Sequence, residues 1–457
     1  MENEIATLEE QLNDFDRARR REALAALAEL AASSKIAMPP LKGMVNVHFH
    51  TFFSFNYRNW SPSRIVWEAK KRGLDVAGSV DFDVLDAMGE MFEAGEVLAV
   101  RTNVALETRV FAHEFPDREF SSPGEPGVLY FMGTGFTRLP EPGSNAASCL
   151  ERMRAGARAR NEAMLERLRP VIAPVTIDYE ADVLPLTPSG NATERHMLAV
   201  MDTKAREMFP NPRDLAAYWS ERTGLGVEEI LGLLGDTARF RTAIRRKLMK
   251  KGGPGYVQPT PETFPPIGEV AQAVSECGAI PCSTWLDGTR AGEADPDQFL
   301  DWHLAMGCIA MNIVPDRNWN IPDPEEKRLK TRKLAEIVQA ARKRHLIFSV
   351  GTEMNNYGQK VVDGFETPEL RPFAEDFRRG AYILYGHTIL ERACRKGLMS
   401  EWARETFRGE RARANAFYLR VGERAFPPRR AVEVLGELPD QAPEPAIIEA
   451  LERLGRP

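Results

Sequence analysis

From Met44 to Gly351, short apolar runs alternate with stretches of helical spacing, and this alternation constrains the fold more than any other feature of the chain. The runs are VNVHF, DVAGSV, NVALETRVF, VLYFMG, AIPCST, CIAMNIV and LIFSVG. They are short and largely continuous in hydrophobicity, the texture of strands buried on both faces. Most of the intervening segments read as helices with their own punctuation. The first, SPSRIVWEAKKRG, has Ser61 as N-cap, Pro62 in its first turn and Gly73 as its stop. Strands separated by helices predict parallel βα units. Polar residues cluster at the C-terminal ends of the runs, which favours a closed α/β barrel, where strand tips converge on one mouth. The expected organisation is a helical arm over 1–40, a barrel over 41–365 with a helical insertion at about 191–251, and a helical extension over 366–457.

Composition narrows the function classes. A net charge of -6 and a pI near 5.9 leave no electrostatic footprint for nonspecific nucleic-acid binding. The opening MENEIATLEEQLNDFDRARR is acidic and polar, with no signal-peptide core. No window approaches the roughly 18 apolar residues of a membrane span. The 5 cysteines lack CxxC spacing and read as free thiols in a reducing compartment. A cytoplasmic protein with no nucleic-acid or membrane partner is expected. The arm, with Leu8, Leu12, Phe15, Leu24, Leu27 and Leu30 at helical spacing, is expected to pack on the body or on a second copy in a homo-oligomer.

Two of only 7 histidines, His48 and His50, stand one residue apart at the end of the first run. Side chains two apart on a strand share a face, so both imidazoles aim together from a stiff support. That is a start for a divalent metal site. Asp81 ends the second run, with Asp83 beyond it. Glu107 sits inside an apolar run, where a buried carboxylate needs a cation or a close partner. Glu353 follows the last run, and His196 lies near the start of a helix in GNATERHMLAVM. A mixed imidazole and carboxylate set suits Zn²⁺, Mn²⁺ or Fe²⁺ without separating them.

On these motifs the sequence resembles the polymerase and histidinol phosphatase (PHP) family of metal-dependent phosphoesterases, whose fold is a distorted seven-stranded βα barrel. The resemblance runs from about Val45 to Asn355. The family's opening HxH matches HFHTFFSFNYRNWSP, its Asp-His pair falls on Asp81 and Phe82, and its glutamate falls on Glu107. Its TRxHIA-like helix start falls on TERHMLA, with His196 as the ligand, and its closing GSDxH falls on GTEMN. Phe82, Trp285 and Asn355 stand where the family has histidines, and Glu353 replaces an aspartate. The resemblance implies a first metal on His48, His50, Glu107 and Glu353, a weaker second one drawing on His196, and no third. It also implies roles for Asp81 and His196 beside a metal-bound water.

The implied activity is hydrolysis of a phosphoester of a small molecule. Candidate phosphate clamps are Arg109, Arg290 and Arg317, because guanidinium suits bidentate phosphate binding. Trp285 and Asn355 are candidate pocket walls. The lost ligands leave two alternatives open. One is a metal-dependent lyase or isomerase acting on a sugar or hydroxy acid, with Asp287, Asp316, Asn318 and Asn320 nearby and His387 as a candidate acid or base. The other is a noncatalytic descendant that binds a metal or ligand.

Overall fold

The computed structural model describes residues 1–454. Seven strands form one sheet in sequence order: β1 (Met44–Phe49), β2 (Leu74–Phe82), β3 (Arg101–Phe111), β4 (Val128–Thr134), β5 (Ile280–Trp285), β6 (Ala310–Ile313) and β7 (Ile347–Val350). The helices interleaved with the arm and strands are α1 (Glu2–Gln11), α2 (Arg17–Ala32), α3 (Pro62–Arg72), α4 (Met88–Leu98) and α5 (Asn145–Ile172). The Ser61 side chain caps α3, and Gly73 ends it in the left-handed conformation, as the punctuation predicts.

The sheet is not wholly parallel, which corrects the expectation from alternation. β4 is antiparallel to both β3 and β5. The segment between β3 and β4 contains no helix to carry the chain back across the sheet, so β4 returns down the barrel instead. The chain then regains the mouth through α5, whose 28 residues span about 42 Å.

That helix leads into a helical cap of α6 (Glu194–Met208), α7 (Pro212–Thr223), α8 (Val227–Leu233) and α9 (Thr237–Leu248). The cap has its own apolar core, running from Leu165 to Met249, to which the end of α5 contributes Leu165, Leu168 and Ile172. The barrel resumes through α10 (Ile267–Glu276), α11 (Pro296–Ala305), α12 (Asp316–Trp319) and α13 (Pro324–Lys343).

The sheet closes between β1 and the segment after β7, and a helix covers one end of the barrel. At the mouth, the Glu353 N–H donates to the His48 carbonyl at 2.8 Å, and the His50 N–H donates to the Glu353 carbonyl at 2.7 Å. Gly351 permits this closure, since a Cβ there would fall 2.1 Å from Asn46 Oδ1. At the opposite end lies α14 (Ala374–Cys394), largely buried. Its Tyr382 donates to Asp75 at 2.8 Å and its Thr388 to Asn103 at 3.1 Å. His387 bonds Gly135 O at 3.0 Å and accepts from the Leu398 N–H at 2.9 Å, so it is a structural residue away from the mouth.

The arm and the C-terminal helices share the main core with the barrel, through Leu12, Leu24 and Leu27 at one end of the chain and Tyr418, Leu435 and Leu451 at the other. Among the described residues no helix is long and apolar enough to cross a membrane.

Candidate metal centre

His48 and His50 leave the tip of β1 on one face, both fully buried. Each Nδ1 has a neighbour that dictates its tautomer. His48 Nδ1 lies 2.9 Å from Asn312 Oδ1, which can only accept, so Nδ1 carries the proton. His50 Nδ1 lies 3.2 Å from Ser54 Oγ. Ser54 donates its one hydroxyl proton to Asp81 Oδ1 at 2.6 Å and therefore accepts from His50. Both Nε2 atoms are left with lone pairs, and they face each other at 3.4 Å.

Glu107 on β3 joins them. Its Oε2 lies 3.3 Å from His50 Nε2 and 3.8 Å from His48 Nε2. That oxygen is buried and has no hydrogen-bond partner among the described residues. Two lone pairs and an anionic oxygen thus converge where water is excluded, an arrangement that repels itself unless a cation lies between. The separations suit one. Four-coordinate bonds of about 2.1 Å place ligand atoms about 3.4 Å apart. Without a metal, a proton on His48 relieves the crowding. Burial opposes charge there, but Glu107 outweighs it and raises the pKa. Burial likewise pushes Glu107 upward, and the two imidazoles outweigh it and lower its pKa.

The other expected ligands lie outside this group of three. Asp81 works one layer out. Its Oδ1 accepts from the Thr51 N–H at 2.8 Å and from Ser54, and its Oδ2 accepts from Thr51 Oγ1 at 2.7 Å. Burial raises its pKa against these donors. The His196 Nδ1 accepts from the Thr193 N–H at 3.0 Å, closing a capping box at the start of α6, and burial lowers its pKa to about 4. Glu353 reaches the rim through its backbone, but its carboxylate is taken by Arg317 at 2.7 and 2.9 Å and by Gln359 at 3.0 Å. Burial raises the Glu353 pKa, and Arg317 more than offsets this and lowers it.

Among the expected substrate contacts, Arg109 pairs with Glu125 at 3.0 Å and stacks 4.4 Å from the Phe264 ring centroid. Arg160 stacks on the same ring at 4.5 Å. Burial, with Arg109 beside it, lowers the Arg160 pKa to about 10. Arg290 is exposed and pairs with Glu119 at 3.5 Å. Trp285 and Asn355 are buried. Phe82, where the resemblance places a histidine, stacks on His50 with centroids 4.4 Å apart. Sequence reasoning missed Asn312, Ser54, Gln359 and Arg160. Asn312 alone left a signal, as an amide inside the apolar run CIAMNIV.

No described protein family matches the chain, and no curated protein matches it. Among solved structures it is similar to a candidate metal-dependent phosphoesterase from Bifidobacterium adolescentis, at 16% identity and TM-score 0.46, over 74% of this chain and 98% of that one. It is also similar to an amidohydrolase from Chromobacterium violaceum, solved with sulfate and no metal, at 14% identity and TM-score 0.47, over 74% and 96%. Neither likeness is close enough to carry a function, a substrate or a residue role to this chain.

Proposed function

We propose that this chain is a metal-dependent hydrolase that cleaves a phosphoester of a small molecule, with the metal held by His48, His50 and Glu107. The observation that carries the reading is the convergence of two Nε2 lone pairs and an unpartnered carboxylate oxygen at one rim. A divalent ion bound there supplies Lewis acidity and brings the pKa of a water from 15.7 toward about 7. Zn²⁺, Mn²⁺ and Fe²⁺ all suit the donors.

The chain's own residues do the rest. Asn312 and Ser54 hold the two imidazoles in the ligating tautomer. Asp81, one hydroxyl away from His50, takes the Ser54 proton and so fixes Ser54 as the acceptor of the His50 Nδ1 proton. Phe82 covers a face of His50 and keeps water from it. Arg109 and Arg160 share one aromatic ring beside the carboxylates of Asp83 and Glu125, and they are our candidates for the phosphate oxygens. Arg317 spends one nitrogen on Glu353, and its other guanidinium N–H groups have no hydrogen-bond partner among the described residues. The cap favours a small substrate. Asn191, leading into α6, donates to the Phe53 and Phe82 carbonyls at 3.0 and 2.8 Å and ties the cap to the mouth.

The test is phosphate release from a panel of phosphomonoesters and phosphodiesters by protein stripped of metal and reloaded with Zn²⁺, Mn²⁺ or Fe²⁺. Release is expected with at least one metal and is lost in a folded His50→Ala variant. Stoichiometric metal without release from any ester would refute hydrolysis and favour the lyase or isomerase. Absence of metal binding would favour the noncatalytic descendant.

A further inference from the structure

Glu353 stands beside the metal ligands, yet its carboxylate is held elsewhere. Its backbone is bonded to both His48 and His50. It and Met354 adopt successive left-handed conformations, with φ of 64° and 53°. Such conformations in non-glycine residues persist only where their surroundings fix them, and they concentrate at functional sites. The negative charge of Glu353 acts on His48, His50 and Glu107. Its side chain nevertheless turns to Arg317, which reaches both carboxylate oxygens, and to Gln359. His48, His50 and Glu107 supply three donors, which leaves a catalytic ion that expands to five-coordinate with places for a water and for one further carboxylate. Arg317 is within reach of an incoming solute, because its side chain is 42% exposed while that of Glu353 is 6% exposed.

We propose that Arg317 is a positioning residue that withholds Glu353 from the metal, and that Glu353 becomes the fourth protein ligand when an anion takes the charge of Arg317. The inference rests on the metal reading above. It ties tight metal binding to the arrival of an anionic substrate group, because the one guanidinium nitrogen that holds both Glu353 oxygens can take an oxyanion in their place. Arg317 suits both, since its planar donors match carboxylate and oxyanion alike.

The experiment titrates full-length, metal-stripped protein with Zn²⁺ against a chromophoric chelator, in sodium chloride and in sodium sulfate at equal ionic strength. Arg317→Met is expected to tighten zinc binding in chloride about tenfold or more, the scale on which residues behind a ligand tune metal affinity. Glu353→Gln is expected to match wild type in chloride, and the double variant to bind no tighter than Glu353→Gln. Sulfate is expected to tighten wild-type binding and to leave all three variants unchanged. Tightening by Arg317→Met that survives in the Glu353→Gln background reports a plain charge effect and overturns the proposal. Equal wild-type affinity in the two salts overturns it as well. His50-dependent zinc binding with no response to Arg317→Met sinks this inference alone. A wild-type chain that binds no zinc, or binds it equally after His50→Ala, sinks the metal reading and the inference together.

Discussion

Asn312→Leu isolates the residue behind His48 at a constant number of side-chain heavy atoms. Asn312 is fully buried on β6, its Oδ1 is 2.9 Å from His48 Nδ1, and its Nδ2 has no partner among the described residues. In the metal-free protein the substitution leaves the His48 N–H unsatisfied, a cost of about 1–3 kcal/mol. It also removes an orphaned amide N–H, which offsets much of that cost. The stability of the metal-free protein is therefore expected to change by less than about 2 kcal/mol. Metal affinity is expected to suffer more, because His48 is freed to carry its proton on the ligating nitrogen. Residues of this kind tune metal affinity by 10- to 100-fold, or about 1.4–2.7 kcal/mol. Calorimetric titration of stripped protein with Zn²⁺ at pH 7.5 measures the loss, and a melt of the metal-free protein measures the fold. A dissociation constant within twofold of wild type, with the fold intact, would refute the claim that Asn312 sets the tautomer.

Three further substitutions test other contacts. Asp81→Asn replaces an acceptor of Thr51 and Ser54 with a donor, and is expected to cost about 1–3 kcal/mol of stability and about tenfold in zinc affinity by melting and titration. Unchanged affinity would show that His50 does not depend on Ser54 and Asp81. Arg20→Met leaves Glu90 buried without its partner at 2.5 Å, so urea unfolding should show a loss of about 3–5 kcal/mol, and a loss below about 1 kcal/mol would argue against a docked arm. Asp363 is buried, neither of its oxygens has a hydrogen-bond partner among the described residues, and burial, with Asp316 beside it, raises its pKa to about 8. The folded chain therefore binds a proton that the unfolded chain releases near pH 4. Stability contributed by that proton is lost as pH rises from about 4 to about 8, on the order of 4 kcal/mol by pH 7. Asp363→Asn should remove that slope in urea melts at pH 5 and pH 8, and an unchanged slope would contradict the assignment.

Local pattern determined much of this protein. The seven apolar runs correspond to the seven strands, because a strand buried on both faces must be continuously apolar wherever it lies in the chain. The period of two placed His48 and His50 on one face, and the cost of burying a charge marked Glu107 as a group needing a counterpart. Tertiary structure decided which neighbours those residues acquired. His48 meets Asn312 from 264 positions away, and Arg317 takes Glu353 from across β7. Asp81, an expected ligand, spends its oxygens on Thr51 and Ser54 instead. The direction of β4 was equally hidden, since a run of apolar residues reads the same whether its strand goes up or down. Hydrophobic periodicity reports which face of an element is buried, whereas a side chain's partner depends on how distant elements pack together.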